Sequence, residues 1–535
     1  MPRRPALPSL NPWRSKSADS MSNFSLHIPA RQKEHHPVTL AHLVLLSLVS
    51  LGAAVWGAAL VFGTQAVQFE QYLLLLGFFG LASALFIFSR IRGDHLGIFY
   101  FPVFITVVVF LRFGVAPVAC FLDERNLSPN FGGQYGFLLR ALEYVIIGML
   151  AFWAGCTVAA REPGEGGLGV AGPIRKQEHA RYSTLTWAVV IYAAVFAIKL
   201  YLLHAHLYAY AGTWKAYYAN LSGLQVLGTV SSLGGAAALA FVTIEKYFHP
   251  SDAPCWLLFW VVLISEVVWG MASGMKGLAL QPLIIVLVIS SLVDRRLKKG
   301  WVAAVLLGLV ALYPFSNNYR RLVRQEGGLA SPAAVASTGL KALSQTRVAE
   351  SGAADWVRNG WRMSLKRLDM LTSVGLVLWL GPRSSQLQGK ERWWMVAYYP
   401  FIPRFLWPSK PILDKGRRFS AAAGSTTTSS MAITYPGDLY ADFGLPGIVL
   451  GMFLLGLVAQ GLANTLTGTL DKGRLFVYAA MFMPVSHLET DAFSYLTSLL
   501  KTFALLSVAA LVIYGPRHRG EKAPAARKTS PPCES

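Results

Sequence analysis

Long apolar runs recur along this chain, most of them close to the ~20 residues that cross the hydrocarbon core of a bilayer, and the charges fall between them. A hydrocarbon slab offers no water to backbone N–H and C=O groups, so each crossing segment must pair them internally, as an α-helix does. The runs that read as spans are 38–62, 72–89, 96–118, 137–160, 183–203, 226–248, 255–273, 277–293, 300–316, 444–466, 475–488 and 495–515. The expected fold is all-α: a polytopic helical membrane protein of about 12 transmembrane helices. The run 475–488 is short, which also fits a re-entrant segment. The segment 371–381 is too short to cross and is expected in or under the interface. Region 393–407 is rich in Trp and Tyr and broken by two prolines, which places it at the headgroup level.

Composition agrees with this class. Charged residues make up 14% of the chain, against about 25% in soluble domains. The formal charge of +21 would suit a nucleic-acid binder, but the basic residues lie in loops and tails, where they orient a membrane chain and meet anionic lipid. No nucleic-acid partner is expected; the bilayer is. Cys120, Cys156, Cys255 and Cys533 show no metal-ligand spacing and read as small hydrophobes. No metal site or cofactor is expected. The first 36 residues lack the apolar core of a signal peptide, and the last 20 are basic, with Pro and Ser, and read as disordered.

Basic loops set the orientation. With the N-terminal tail inside, the inside loops hold Arg90 and Arg92, then Arg161, Arg175, Lys176 and Arg181, then Lys246, then Arg295 to Lys299, then Lys472 and Arg474. Twelve spans with both termini cytoplasmic fit the positive-inside rule. The chain then divides into a basic tail (1–37), a first bundle of about nine helices (38–316), a large external loop (317–443), three last helices (444–515) and a tail (516–535).

The external loop carries the wrong sign for its side. From 316 to 443 there are twelve Arg and five Lys against eight acids. Long loops cross regardless of charge, so the topology stands, but the excess wants a reason. Headgroup contact and surface solvation would account for it. An anionic substrate also would, because the guanidinium fork matches phosphate oxygens. Val357, Trp361, Leu365 and Leu368 form a helical stripe beside Arg358, Arg362 and Lys366, predicting an amphipathic helix on the outer surface.

Ionisable groups inside spans are costly and point to function. Arg112, Arg140, Glu143 and Glu266 are such groups, and Lys276 follows in the run Ser273-Gly274-Met275-Lys276-Gly277. On this topology each lies toward the outer end of its span, level with Arg320, Arg321 and Arg324. Snorkelling, or pairing of Arg140 with Glu143 at i, i+3, is the plainer account of the first three. His487, Glu489 and Asp491, in the run HLETD, close the eleventh span at the same end and offer a general base; an ordinary solvated turn is the alternative.

Two further stretches carry a resemblance. Tyr399 to Pro411 reads YPFIPRFLWPSKP, and Tyr435 to Gly447 reads YPGDLYADFGLPG and runs straight into a span. With Ser273–Gly277 and Tyr319-Arg320-Arg321, they resemble the O-antigen polymerase (Wzy-like) family of oligosaccharide repeat-unit polymerases. The resemblance implies a glycosyltransferase of GT-C-like architecture in the bacterial inner membrane. Its active site would face the periplasm, and it would join oligosaccharide repeats carried on undecaprenyl pyrophosphate in O-antigen (lipopolysaccharide) or exopolysaccharide biosynthesis, beside a chain-length regulator protein. On that reading Lys276, Arg320, Arg321, Arg324, Arg404 and Lys410 hold the pyrophosphate without a metal, as electrostatic stabilisation of a leaving group requires. His487, Glu489 or Asp438 is the base. Prolines 400, 403, 408 and 411 would stiffen the loop around Arg404. A flippase or transporter for a lipid-linked polysaccharide predicts midplane charges and an internal repeat, and no repeat is visible. A ligase would share the same arginines, and a non-catalytic scaffold would not need them.

Overall fold

The computed structural model describes residues 67–91, 95–118, 136–160, 181–211, 224–249, 252–348, 368–381, 387–389, 391–404, 406–424, 430–466 and 471–514. Among them are fourteen α-helices and no strand. In chain order they are α1 (Val67–Ile91), α2 (Phe101–Val109), α3 (Gly136–Val158), α4 (Arg181–His204), α5 (Leu224–Phe248), α6 (Ala253–Ala272), α7 (Lys276–Val293), α8 (Lys299–Gln325), α9 (Pro332–Val348), α10 (Leu371–Leu380), α11 (Lys415–Ala422), α12 (Tyr435–Leu466), α13 (Lys472–Ser486) and α14 (Ala492–Tyr514). The expected tails, the first run 38–62 and the stretch 351–367, with most of the expected amphipathic stripe, lie outside the described residues.

Eight of these helices are long and apolar enough to cross a membrane: α1, α3, α4, α5, α6, α7, α12 and α14. α8, bent by 41° between Leu312 and Phe315, makes a ninth if counted as one span. The expected run 96–118 is shorter than it reads. Its helix covers Phe101–Val115 and widens into a π-helix from Phe110 to Val115. The expected break between span and loop at 316 is absent; α8 continues to Gln325, so Arg320, Arg321 and Arg324 ride on its last turns. Nothing in 316–325 stops a helix, whereas Gly327 and Gly328 adopt φ of 73° and 106° and do.

α13 departs furthest from the sequence expectation. It has 15 residues, so it rises only about 22 Å. Yet Leu475 through Phe482 are all buried, and α13 packs on α2, α5, α7, α12 and α14. A helix wrapped by other helices need not match the bilayer on its own, so its short apolar run reports a central position. α10, too short to cross, is packed inside the protein rather than laid on its surface. Leu371, Val374, Leu376, Val377 and Leu380 are buried, and it packs against α3 and α12.

Lipid tails are as apolar as leucine, so helices in a membrane are held by close packing rather than by escape from water. The α3–α12 pair shows how close. A methyl on Gly155 would lie 2.2 Å from the Phe453 carbonyl oxygen, and one on Gly456 would lie 2.1 Å from that of Phe152. α12 is itself two helical segments joined at Gly444, whose φ of 66° and ψ of −157° only glycine adopts without strain.

The up-and-down order puts the ends of α2, α6, α8 and α13, and the starts of α3, α7, α12 and α14, at one end of the bundle. Arg90, Lys246, Arg295, Arg296 and Lys472 lie at the other. Contacts across the chain agree with that order. Lys472 pairs with Glu245 at the end of α5 (3.0 Å), and Arg90 donates to Thr157 at the end of α3 (3.2 Å).

Candidate functional site

α13 stops at Ser486, two residues after Pro484, and the HLETD turn then leads into α14. The turn is clamped from beneath and beside. The Tyr435 N–H donates to the Leu488 carbonyl (2.9 Å), and the Tyr495 hydroxyl donates to the Val485 carbonyl (2.9 Å). Asp491 accepts from the Ser494 N–H (2.7 Å) and so caps α14. The turn is surrounded by protein yet leaves His487 open to solvent, which makes it a recess.

Glu489 accepts a charge-assisted hydrogen bond from Arg112 at 2.7 Å. Arg112 sits in the π-turn of the 101–115 helix, a feature frequent at functional sites. His487 is exposed within the recess. The protein crowded around it holds the imidazole below its usual pKa; the Glu489 carboxylate opposes that shift and the Arg112 guanidinium reinforces it. The ring is therefore neutral and able to accept a proton.

The second component is the turn between α6 and α7. Gly274 takes φ 67°, Ser273 Oγ donates to the Gly270 carbonyl (2.6 Å), and the Met275 N–H donates to Ser273 Oγ (3.0 Å). α8 braces this turn three times. Ser316 Oγ (2.9 Å) and Arg320 Nε (2.8 Å) both donate to the Gly274 carbonyl, and the Tyr319 hydroxyl donates to that of Ala272 (3.0 Å). Lys276 donates to Asn317 at 3.3 Å. A methyl on Gly277 would stand 3.6 Å from His487 Nε2, so the lysine turn touches the histidine turn. Asn317, Arg320, Arg321, Arg324 and Gln325 line an open cleft of about 420 Å³. Arg321 also donates to Gln345 on α9 at 3.0 Å.

The third component is the proline-bearing loop. Trp393–Ala397 forms a 3-10 turn, and Tyr399 packs its ring on Phe493 at the start of α14, with centroids 5.4 Å apart. The Tyr399 hydroxyl (2.7 Å) and Arg404 Nη2 (3.1 Å) both donate to the Pro411 carbonyl. Lys410 donates to the Tyr399 and Ile402 carbonyls at 2.7 Å each, with its ammonium 4.1 Å from the Tyr399 ring centroid. Burial, then Arg404 and Lys501, push the Lys410 pKa down to about 8.

Asp438 does not serve as a free base. It is fully buried, ion-paired with Lys415, and accepts from the Ala492 N–H at 2.9 Å. Lys415 also reaches Asp442 at 2.9 Å, and Trp393 Nε1 donates to Asp442 at 3.2 Å. This is a clamp that ties the loop, α11, α12 and α14 together. Glu266 is likewise occupied, by Lys199 of α4. Arg140 and Glu143 lie exposed on α3. Among the described residues no group of three or more His, Cys, Asp or Glu is arranged to hold a metal ion.

The structure thus brings Arg112, Glu489, His487, Lys276 and Arg320 around one recess and sets Arg404 and Lys410 on the adjoining loop. Sequence reading passed over Lys199, Lys415 and Lys501. Lys199 and Lys501 each interrupt an apolar span, so the rule that singles out Arg112 applies equally to them. Lys415 lies in a polar loop and carries no such signal.

Residues 175–512 match the model of a family described as a domain of unknown function, DUF8712. No curated protein and no solved structure matches the chain. The matched stretch includes the lysine turn, α8, the proline-bearing loop and the HLETD turn, but not Arg112. Since that model spans more than half of the sequence, the chain belongs to the DUF8712 family.

Proposed function

We propose that this protein is a glycosyltransferase that polymerises undecaprenyl-pyrophosphate-linked oligosaccharide repeat units. It would sit in a bacterial inner membrane with twelve spans, GT-C-like architecture, both termini cytoplasmic and the recess facing the periplasm. The observation that carries the reading is the recess itself. An open-faced neutral His487 lies against a cationic turn and beside a loop cation, Lys410, at the end of the bundle opposite the basic loops. The sequence resemblance at Tyr399–Pro411, Tyr435–Gly447 and Ser273–Gly277 points to the same chemistry.

In this reaction an acceptor sugar hydroxyl attacks the anomeric carbon of the growing chain. The bond from that carbon to the pyrophosphate oxygen breaks, and the lipid pyrophosphate departs with the electron pair. The hydroxyl proton passes to His487. Of the three residues expected as the base, His487 alone keeps an open face and a free lone pair; Glu489 is held by Arg112 and Asp438 by Lys415. Lys276, Arg320, Arg404 and Lys410 supply positive charge for the leaving group in a protein-walled site, where fixed charge acts most strongly.

Reconstitution with a short lipid-linked repeat tests the proposal. Longer glycan and released undecaprenyl pyrophosphate are expected. His487→Ala should slow elongation by roughly 100- to 10,000-fold while substrate binding persists. Absence of both products from the wild-type protein overturns the reading.

A further inference from the structure

Among the described residues, several buried or half-buried cations rest on carboxylates. Arg112 meets Glu489, Lys199 meets Glu266, and Lys415 meets Asp438 and Asp442. Others meet aromatic rings or a hydroxyl: the Lys246 ammonium lies over Trp256 and Phe259, and Arg90 meets Thr157 and the Phe86 ring. A further three cations lie together. Among the described residues, Arg404, Lys410 and Lys501 have no carboxylate partner. Arg404 and Lys410 are held by loop carbonyls, and the Lys501 ammonium donates to Thr229 Oγ1 at 3.3 Å. Arg404 Nε is buried without any acceptor. Lys410 experiences only positive neighbours, Arg404 and Lys501.

Lys501 is the informative member. It lies nine residues into α14, about 14 Å along the axis, inside an apolar span. A helical side chain leans toward its own N-terminus, which for α14 is the recess end. The ammonium therefore climbs toward the loop, to the level of Thr229 near the start of α5. A lysine within a span is costly unless it pairs or contacts substrate. A threonine hydroxyl carries no charge to offset it, and two further cations nearby raise the cost. A bound anion would offset the three charges at once.

We propose that Arg404, Lys410 and Lys501 form a pocket for the phosphate groups of a polyprenyl-linked headgroup, with Lys501 reaching them from inside the membrane span. The identity of that lipid rests on the polymerase reading; the three-cation site does not.

The test is binding of undecaprenyl pyrophosphate to the full-length protein in nanodiscs, without turnover, beside the polyprenyl alcohol of equal length and inorganic pyrophosphate. The wild-type protein should prefer the pyrophosphate lipid to the alcohol. Lys501→Met should weaken binding of that lipid by about tenfold or more, the worth of one charge-assisted contact, and leave the alcohol unaffected. Lys501→Arg should restore most of the preference. Thr229→Val keeps the charge and removes the hydroxyl, so it should bind as wild type. An undiminished preference in Lys501→Met overturns the pocket, as does an equal loss in Thr229→Val, which would make Lys501 a strut between α5 and α14. Inorganic pyrophosphate binding as tightly as the lipid overturns the lipid as ligand. Should Lys501→Met fail to fold, Lys501→Gln is read in the same way. A protein that shows this selectivity but elongates no glycan loses the polymerase reading and keeps the pocket.

Discussion

At the residue scale, side chains of the same type divide by what they rest on. Lys415 is bound to two aspartates whose attraction outweighs its burial and raises its pKa. Lys410 is surrounded by carbonyls, an aromatic ring and other cations, and its pKa falls to about 8. The charged groups that face it are Arg404 and Lys501, while Tyr399, pushed up to about 12, stays neutral; Glu391 and Asp491 act on Tyr399. The sign of the pH effect follows. An anion favours the protonated lysine, and the empty site loses that proton above about pH 8. Binding of a pyrophosphate lipid should therefore weaken as pH rises from 7 to 9, by up to about tenfold per unit above the midpoint. The same titration in Lys410→Met should be nearly flat. A flat wild-type profile would exclude Lys410 from the site. Lys410 was legible in the sequence as a basic residue in a proline-rich loop. Its lack of a carboxylate was not, because that depends on Arg404 and Lys501 being its neighbours in space.

At the scale of elements, length and hydropathy identify helices that face lipid and miss those that do not. α1, α4 and α14 read as spans and bury fewer than a third of their residues. α13 reads as weak and is the most enclosed helix of the bundle. The α3–α12 contact is similarly invisible in hydropathy, since it depends on glycines brought into register from distant parts of the chain. Gly456→Ala puts a methyl against the Phe152 carbonyl, which is backbone and has little freedom to yield. A loss of about 1–3 kcal/mol is expected, as for other overpacked cores, seen as a lower melting temperature in detergent. Gly461→Ala, which meets open space, should change little. An unchanged melting temperature for Gly456→Ala would show that α3 and α12 are not so closely packed.

For the whole molecule, the decisive property is that its two ends differ. Basic loops gather at one end, as in Arg295, Arg296 and Lys472, and the recess, the cleft of α8 and the proline-bearing loop gather at the other. Cysteines placed at Arg324 and Arg417 should label from outside the cell membrane, and those at Arg296 and Arg474 only after permeabilisation. Labelling of Arg324 and Arg296 from the same side would break the topology. The sequence by itself determined the helical membrane class, the alternation of ends and the end of the bundle at which the unusual charges gather, because apolar length and charge placement are local properties of the chain. Only the tertiary structure decided which charges are spent and which are open. Asp438 and Glu266 are occupied, His487 stands open, and Lys501 joins Arg404 and Lys410 without a carboxylate. Pairing is set by neighbours far apart in the chain, and no local pattern of residues encodes it.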